Sequence, residues 1–257
     1  MRAAVLNLKM STVHLPADKD EDALPRCVTI GDKKVFLVAD GHGGKGCTRV
    51  INAHADDILA KAAEHGPQTA IQHCIKLCET EGAGAMIIVG VVHENTLTCC
   101  SLGDVSCWVY DENSACVFQQ PHHDKSFYDA YTGHEKDTMS IGQPARTVFP
   151  NANGTCEPGW GYYFYPQACA AAASLGHYGK QCLPPISSTF HLPEQWNIIA
   201  CTDGIADVVH PFEAASLDIQ QIGALAQDRW LLGVVPPEGP RQVIGNDDIS
   251  GIKIHWN

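Results

Sequence analysis

Two apolar runs in this 257-residue chain end on Asp-Gly: Lys34-Val-Phe-Leu-Val-Ala-Asp40-Gly41-His42-Gly43-Gly44 and Trp196-Asn-Ile-Ile-Ala-Cys-Thr-Asp203-Gly204. A strand that ends on a carboxylate fixes a negative charge at the edge of a sheet. A third acidic pair, Asp247-Asp248, stands directly ahead of another apolar run. Three such ends could aim at one point, and oxygen-only clusters of that kind hold hard divalent cations such as Mg²⁺ or Mn²⁺. Asp-Gly is also a common turn dipeptide. The weight of the argument therefore rests on its repetition at strand ends.

The elements that must carry these residues follow from periodicity and turn chemistry. Arg26 to Ile30 and Lys34 to Ala39 read as a hairpin around Gly31-Asp32-Lys33, with the Asp-Gly-His-Gly-Gly loop behind it. Val50, Ile51, Ala55, Ile58, Leu59 and Ala62 recur at helical spacing; Gly66 stops that helix and Pro67 opens a second. Met86 to Val92, Thr96 to Leu102, Ser106 to Tyr110 and Ala115 to Gln119 read as an antiparallel meander. A loop-rich segment, at about 121–190, follows. Then come the Trp196 strand, a helix from about Pro211 to Trp230, and a last strand, Ile249 to Trp256. Strands and helices in this order favour antiparallel sheets flanked by helices over a doubly wound parallel sheet.

Bulk properties narrow the function. A net charge of −12 with 17 Lys and Arg argues against a nucleic-acid or anionic-membrane binder, because phosphate affinity rests on those side chains. No apolar run approaches the roughly 20 residues of a membrane span, and the first residues do not form a signal peptide. The expectation is one catalytic domain over residues 1–257, with a flap at 121–190, in a monomeric cytoplasmic protein. The 12 cysteines sit largely in apolar segments, among them Cys74, Cys78, Cys99, Cys100, Cys107 and Cys201, and read as reduced core thiols. Cys74 and Cys78, one helical turn apart, leave a structural zinc site as a minor option.

With these residues in place, the sequence resembles the metal-dependent type 2C protein serine/threonine phosphatases. The landmarks run in order: Glu21-Asp22, Asp40-Gly-His-Gly-Gly44, Gly82-Ala-Gly-Ala-Met86, Leu102-Gly103-Asp104, His123-Asp124-Lys125, Ala173-Ser-Leu-Gly-His177, Asp203-Gly-Ile-Ala-Asp207-Val208 and Asp247-Asp-Ile-Ser250. The resemblance implies an α+β fold in which two antiparallel β-sheets form a central sandwich flanked by helices on both sides. It implies two Mg²⁺ or Mn²⁺ ions, bridged by Asp40 and further held by the Gly41 carbonyl, Asp203, Asp247 and the Glu21-Asp22 pair. Asp207, with Asp203 and Asp124, resembles a weaker third-metal site. The implied reaction is hydrolysis of phosphoserine and phosphothreonine in proteins by direct attack of a hydroxide bridging the two ions. His42 is then expected to give the leaving oxygen its proton, kept charged by a neighbouring carboxylate.

The pattern departs from the family at Ala17, where the family usually has a phosphate-gripping Arg. Lys19, Lys45 and Arg49 are the nearby cations that could replace it, though Lys lacks the planar fork. Two other readings follow. One is a pseudophosphatase that binds metal or phosphoprotein with little or no turnover. The other is a hydrolase whose ligands are His122, His123 and Asp124.

Overall fold

The computed structural model describes residues 8–123, 175–176, 184–232 and 247–256. In chain order it contains β1 (Leu8–Leu15), β2 (Arg26–Ile30), β3 (Lys33–His42), α1 (Gly46–His65), α2 (Pro67–Leu77), β4 (Gly84–His93) and β5 (Thr96–Leu102). These are followed by β6 (Ser106–Tyr110), β7 (Cys116–Gln119), β8 (Leu175–Gly176), β9 (Ile186–His191) and β10 (Asn197–Cys201). Three helices, α3 (Asp203–Ala206), α4 (Pro211–Ala214) and α5 (Ile219–Leu232), precede β11 (Ile249–Trp256).

The strands form two antiparallel sheets. One has the order β1-β11-β10-β6-β7, and the other β2-β3-β4-β5-β9 with β8 paired to the start of β4. Because side chains alternate across a strand, each sheet offers two apolar faces. Phe36, Val38, Ile88, Cys99, Cys107, Ile198 and Ile252 pack between the sheets. Val35, Leu37, Ile87 and Val89, one residue out of phase, pack outward on Ile51, Ile58 and Ile71 of α1 and α2. On the other side Trp108, Ile199 and Cys201 meet Ile219, Ile222 and Ala226 of α5. Each fully buried Ile, Leu or Phe contributes roughly 1.5–3 kcal/mol. Slipping β3 by one residue would exchange its two faces and misplace Asp40 with them.

Four details depart from the sequence expectations. Strand β3 does not stop at Ala39: Asp40, Gly41 and His42 stay in the ladder opposite Met86, Ala85 and Gly84. Strands β5 and β6 do not form one meander, because the Gly103-Asp104 turn carries the chain from one sheet to the other. The helix expected from Pro211 to Trp230 is two helices. Asp218 starts the second, its carboxylate accepting the Gln221 N–H at 2.8 Å while the Gln221 side chain accepts the Asp218 N–H at 2.9 Å. Finally, residues 186–190, expected in the flap, form with His191 an edge strand on β5; most of the rest of the 121–190 stretch lies outside the described residues.

The cysteines of the described residues carry free thiols, and Cys47, Cys74, Cys78, Cys99, Cys100, Cys107 and Cys201 are buried. Among the described residues no helix is long and apolar enough to cross a membrane.

Candidate metal centre

Strand β3 delivers Asp40 and Gly41 to one end of the sandwich, and β10 delivers Asp203 through the turn of α3. Asp247 immediately precedes Asp248 and β11, while the loop after β1 brings Glu21 and Asp22. Asp22 and Asp40 are buried, at 7% and 4% exposure. Asp104, Asp203, Asp207 and Asp247 are partly open to solvent yet crowded by protein. One oxygen each of Asp22, Asp104 and Asp203 is buried with no hydrogen-bond partner.

The electrostatics tie these residues into one group. Burial pushes the Asp40 carboxyl well above the usual carboxylate range, and the charges of Asp203, Asp22, Asp247 and Asp104 push it further. Asp203 rises for the same reasons, with burial first and then Asp247, Asp104 and Asp207. Burial raises Asp22 to about 7, Asp207 to about 8, and Asp104 and Asp247 to about 6 each. Like-charged carboxylates held away from bulk water cannot all ionise without help. Among the described residues no three such side chains are closed into a ready coordination cage. The arrangement is therefore a convergence of negative charge rather than a finished ligand shell. Its oxygen-only chemistry and its unsatisfied buried oxygens fit a hard divalent cation.

Close backbone packing fixes where these acids sit. The Gly41 N–H donates to Asp22 Oδ1 at 3.2 Å, and a Cβ at Gly41 would collide with the Glu21 carbonyl. At the second Asp-Gly, a Cβ on Gly204 would collide with the Asp248 carbonyl. The glycines are thus required by contact between the acid-bearing loops. Asp248, at 3% exposure, has a structural role: its carboxylate accepts the backbone N–H groups of Ala17, Glu21 and Asp22 and shapes the loop that carries them. The sequence paired it with Asp247 without separating the two roles.

The remaining candidates separate by geometry. His42 is partly buried, and its basicity is lowered by burial and then by Lys19, with Glu21 opposing. That reverses the expectation that a carboxylate keeps it charged. Lys19 is exposed, and its charge acts on both His42 and Asp247. Lys45 is committed to Asp20, Nζ to Oδ2 at 2.6 Å, and Arg49 lies exposed in the first turn of α1. Of the His122, His123, Asp124 ligand set, the two histidines lie among the described residues. The His123 ring accepts the Gly103 N–H at 3.1 Å on one side and donates to the Pro184 carbonyl at 2.9 Å on the other. His122 faces Ser106 Oγ at 3.1 Å, and Asp124 is outside the described residues. Asp104 was visible only as a landmark. Its place on a turn between sheets, which brings it among the other acids, is a tertiary fact.

No protein-family model matches the sequence, and no curated protein is found as a relative. Solved structures do match. The photosystem II phosphatase PBCP superposes with a TM-score of 0.67 at 18% identity, over 98% of this chain and 99% of that one. The S. agalactiae serine/threonine phosphatase gives 0.63 at 12% identity, over 97% and 100% of the two chains. The fold is that of the type 2C phosphatases. Another structure with this type 2C fold, the catalytic domain of the protein phosphatase PstP, was solved with two manganese ions; it matches at a TM-score of 0.55 and 10% identity, over 96% and 97% of the chains. The acid convergence described above lies at the Asp40 end of this type 2C fold.

Proposed function

We propose that this protein is a Mg²⁺- or Mn²⁺-dependent phosphatase acting on phosphoserine and phosphothreonine in proteins. The observation that carries the reading is the convergence of Asp22, Asp40, Asp104, Asp203, Asp207 and Asp247 at one end of a type 2C fold, with three buried oxygens that no protein group satisfies. Asp40, the Gly41 carbonyl, Asp203, Asp247, Glu21 and Asp22 would hold two cations, and Asp207 with Asp104 a weaker third. Bound there, the cations would supply Lewis acidity to the phosphoryl oxygens and lower the pKa of water toward neutrality.

The chain's own residues do the rest. Asp22 fixes the floor of the site beside Asp40 by accepting the Gly41 N–H. His42, the residue after Gly41, gives a proton to the departing seryl or threonyl oxygen once the negative charge of a bound phosphoryl group offsets the burial that lowers its basicity. Lys19 receives the phosphate as a point charge in place of the fork absent at Ala17, since Lys45 is held by Asp20. The partial exposure of Asp203, Asp207 and Asp247 leaves the acidic group open on the side from which a phosphorylated loop would approach.

One observation favours a second reading. Residue 17 is an alanine whose backbone N–H is already bound to Asp248, which suits a pseudophosphatase that binds cations or phosphoprotein without turnover. Purified protein with Mn²⁺ and a phosphothreonine peptide separates the two. Phosphate release abolished by EDTA and by Asp203→Ala is the expected result. Calorimetric Mn²⁺ binding without phosphate release would establish the pseudophosphatase, and neither binding nor release would overturn both.

A further inference from the structure

Helix α5 lies outside the acidic group, yet two consecutive side chains on it reach the segment that carries Asp203 and Asp207. The Trp230 indole N–H donates to the Gly204 carbonyl at 2.7 Å. The Arg229 guanidinium donates from Nη1 to the Val208 carbonyl at 2.6 Å. Gly204 and Val208 are the residues immediately after the two acids. One helix thus grips the backbone just behind each carboxylate.

Both grips are stiff. Arg229 is 7% exposed, and its two terminal nitrogens fork onto Glu213, Nη1 to Oε2 at 2.9 Å and Nη2 to Oε1 at 2.7 Å. Glu213 in turn accepts the His210 N–H at 3.0 Å, so the guanidinium is aimed at Val208 from a fixed base. Gly204 is pressed from its other side against the Asp248 carbonyl, where a Cβ would not fit. The Asp203 turn is therefore set between β11 and the Trp230 indole. Helix α5 is itself anchored far from the acids, by the Gln220 side-chain N–H on the Thr12 carbonyl at 2.7 Å.

We propose that Arg229 and Trp230 are positioning residues that set the Asp203 and Asp207 carboxylates for cation binding. The inference rests on the metal-dependent reading above and names the groups outside the acids that complete it. Groups that orient ligands in this way typically change metal affinity by 10- to 100-fold when lost. Trp230→Phe removes the N–H donor with the pyrrole ring and keeps a six-membered aromatic ring.

The test is Mn²⁺ calorimetry on the full chain, with circular dichroism to verify folding. For Trp230→Phe and Arg229→Gln, the dissociation constant is expected to rise about tenfold or more, while Arg229→Lys, which keeps one donor for Val208, recovers part of the loss. The Mn²⁺ concentration for half-maximal turnover should rise in step, with KM for a phosphothreonine peptide unchanged. Gln220→Ala is the control: it loosens α5 elsewhere and should lower Tm without moving Mn²⁺ affinity. Folded Trp230→Phe and Arg229→Gln proteins with wild-type Mn²⁺ affinity would overturn the clamp and leave the metal-dependent reading standing. A Gln220→Ala protein that weakens Mn²⁺ equally would also overturn it, reducing the effect to general stability. Wild-type protein that does not bind Mn²⁺ would overturn the underlying reading itself.

Discussion

Glu213 with Arg229 and the acids around Asp40 face the same problem of charge removed from water, and they resolve it in opposite ways. The Arg229 fork satisfies Glu213, whose carboxyl is held below its ordinary value first by that hydrogen bond. The acids around Asp40 meet one another: burial and mutual repulsion push them up, and three of their buried oxygens are unpartnered. A closed pair asks nothing further of its surroundings, whereas an unclosed cluster is a site that favours a cation. The difference separates a structural charge from a functional one by chemistry alone.

The contrast breaks most visibly at Asp203. Asp203→Asn should cut metal-dependent phosphate release by about a thousandfold or more, corresponding to several kcal/mol of barrier. The same change should raise the Tm of the metal-free protein, because it deletes a repelling charge. A thermal melt in EDTA showing the opposite shift would mean that Asp203 is satisfied within the protein. Arg229→Met tests the closed pair and should cost about 1–3 kcal/mol in urea unfolding, because it leaves the half-buried Glu213 carboxylate and the Val208 carbonyl without their donor. Pairing it with Glu213→Gln should recover a large part of that loss.

The pH dependence sharpens the comparison because the two groups carry opposite signs. Asp104 and Asp247 rise to about 6, Asp22 to about 7 and Asp207 to about 8, all from an ordinary value of 3.8. A raised folded value means that stability is fully present below the unfolded value and lost as pH climbs through the folded one. Metal-free protein should therefore weaken steadily between about pH 4 and pH 8, and saturating Mn²⁺ should remove the slope. Glu213 is lowered, so its contribution is present above its unfolded value of 4.5 and fades as pH falls below that. Urea midpoints against pH, in EDTA and in Mn²⁺, resolve both limbs. The smallest effects belong to the surface cations. Lys19→Ala should raise KM for a phosphopeptide several-fold, about 1 kcal/mol for one charge-assisted contact. Lys45→Ala, which removes an exposed pair with Asp20, should leave the urea midpoint nearly unchanged.

The sequence by itself determined most of the strands, the two long helices after β3 and the acids at strand ends; β1 and β9 were not read from it. Continuous apolar runs on β3, β4 and β10, Gly66 and Pro67 at the junction of α1 and α2, and Asp-Gly at two strand ends are local signals, and local sterics enforce them. The Asp218 capping box was also written in the chain, but the apolar spacing on both sides of it read as one helix. What only the tertiary structure decided lies in contacts between segments far apart in sequence. These include the crossing of Gly103-Asp104 between sheets, the occupation of His123 by Gly103 and Pro184, and the division of labour between Asp247 and Asp248. The grip of α5 behind Asp203 and Asp207 is of the same kind. A carboxylate's role depends on which donors and charges surround it, and that surrounding forms only when both sheets have closed on their common core.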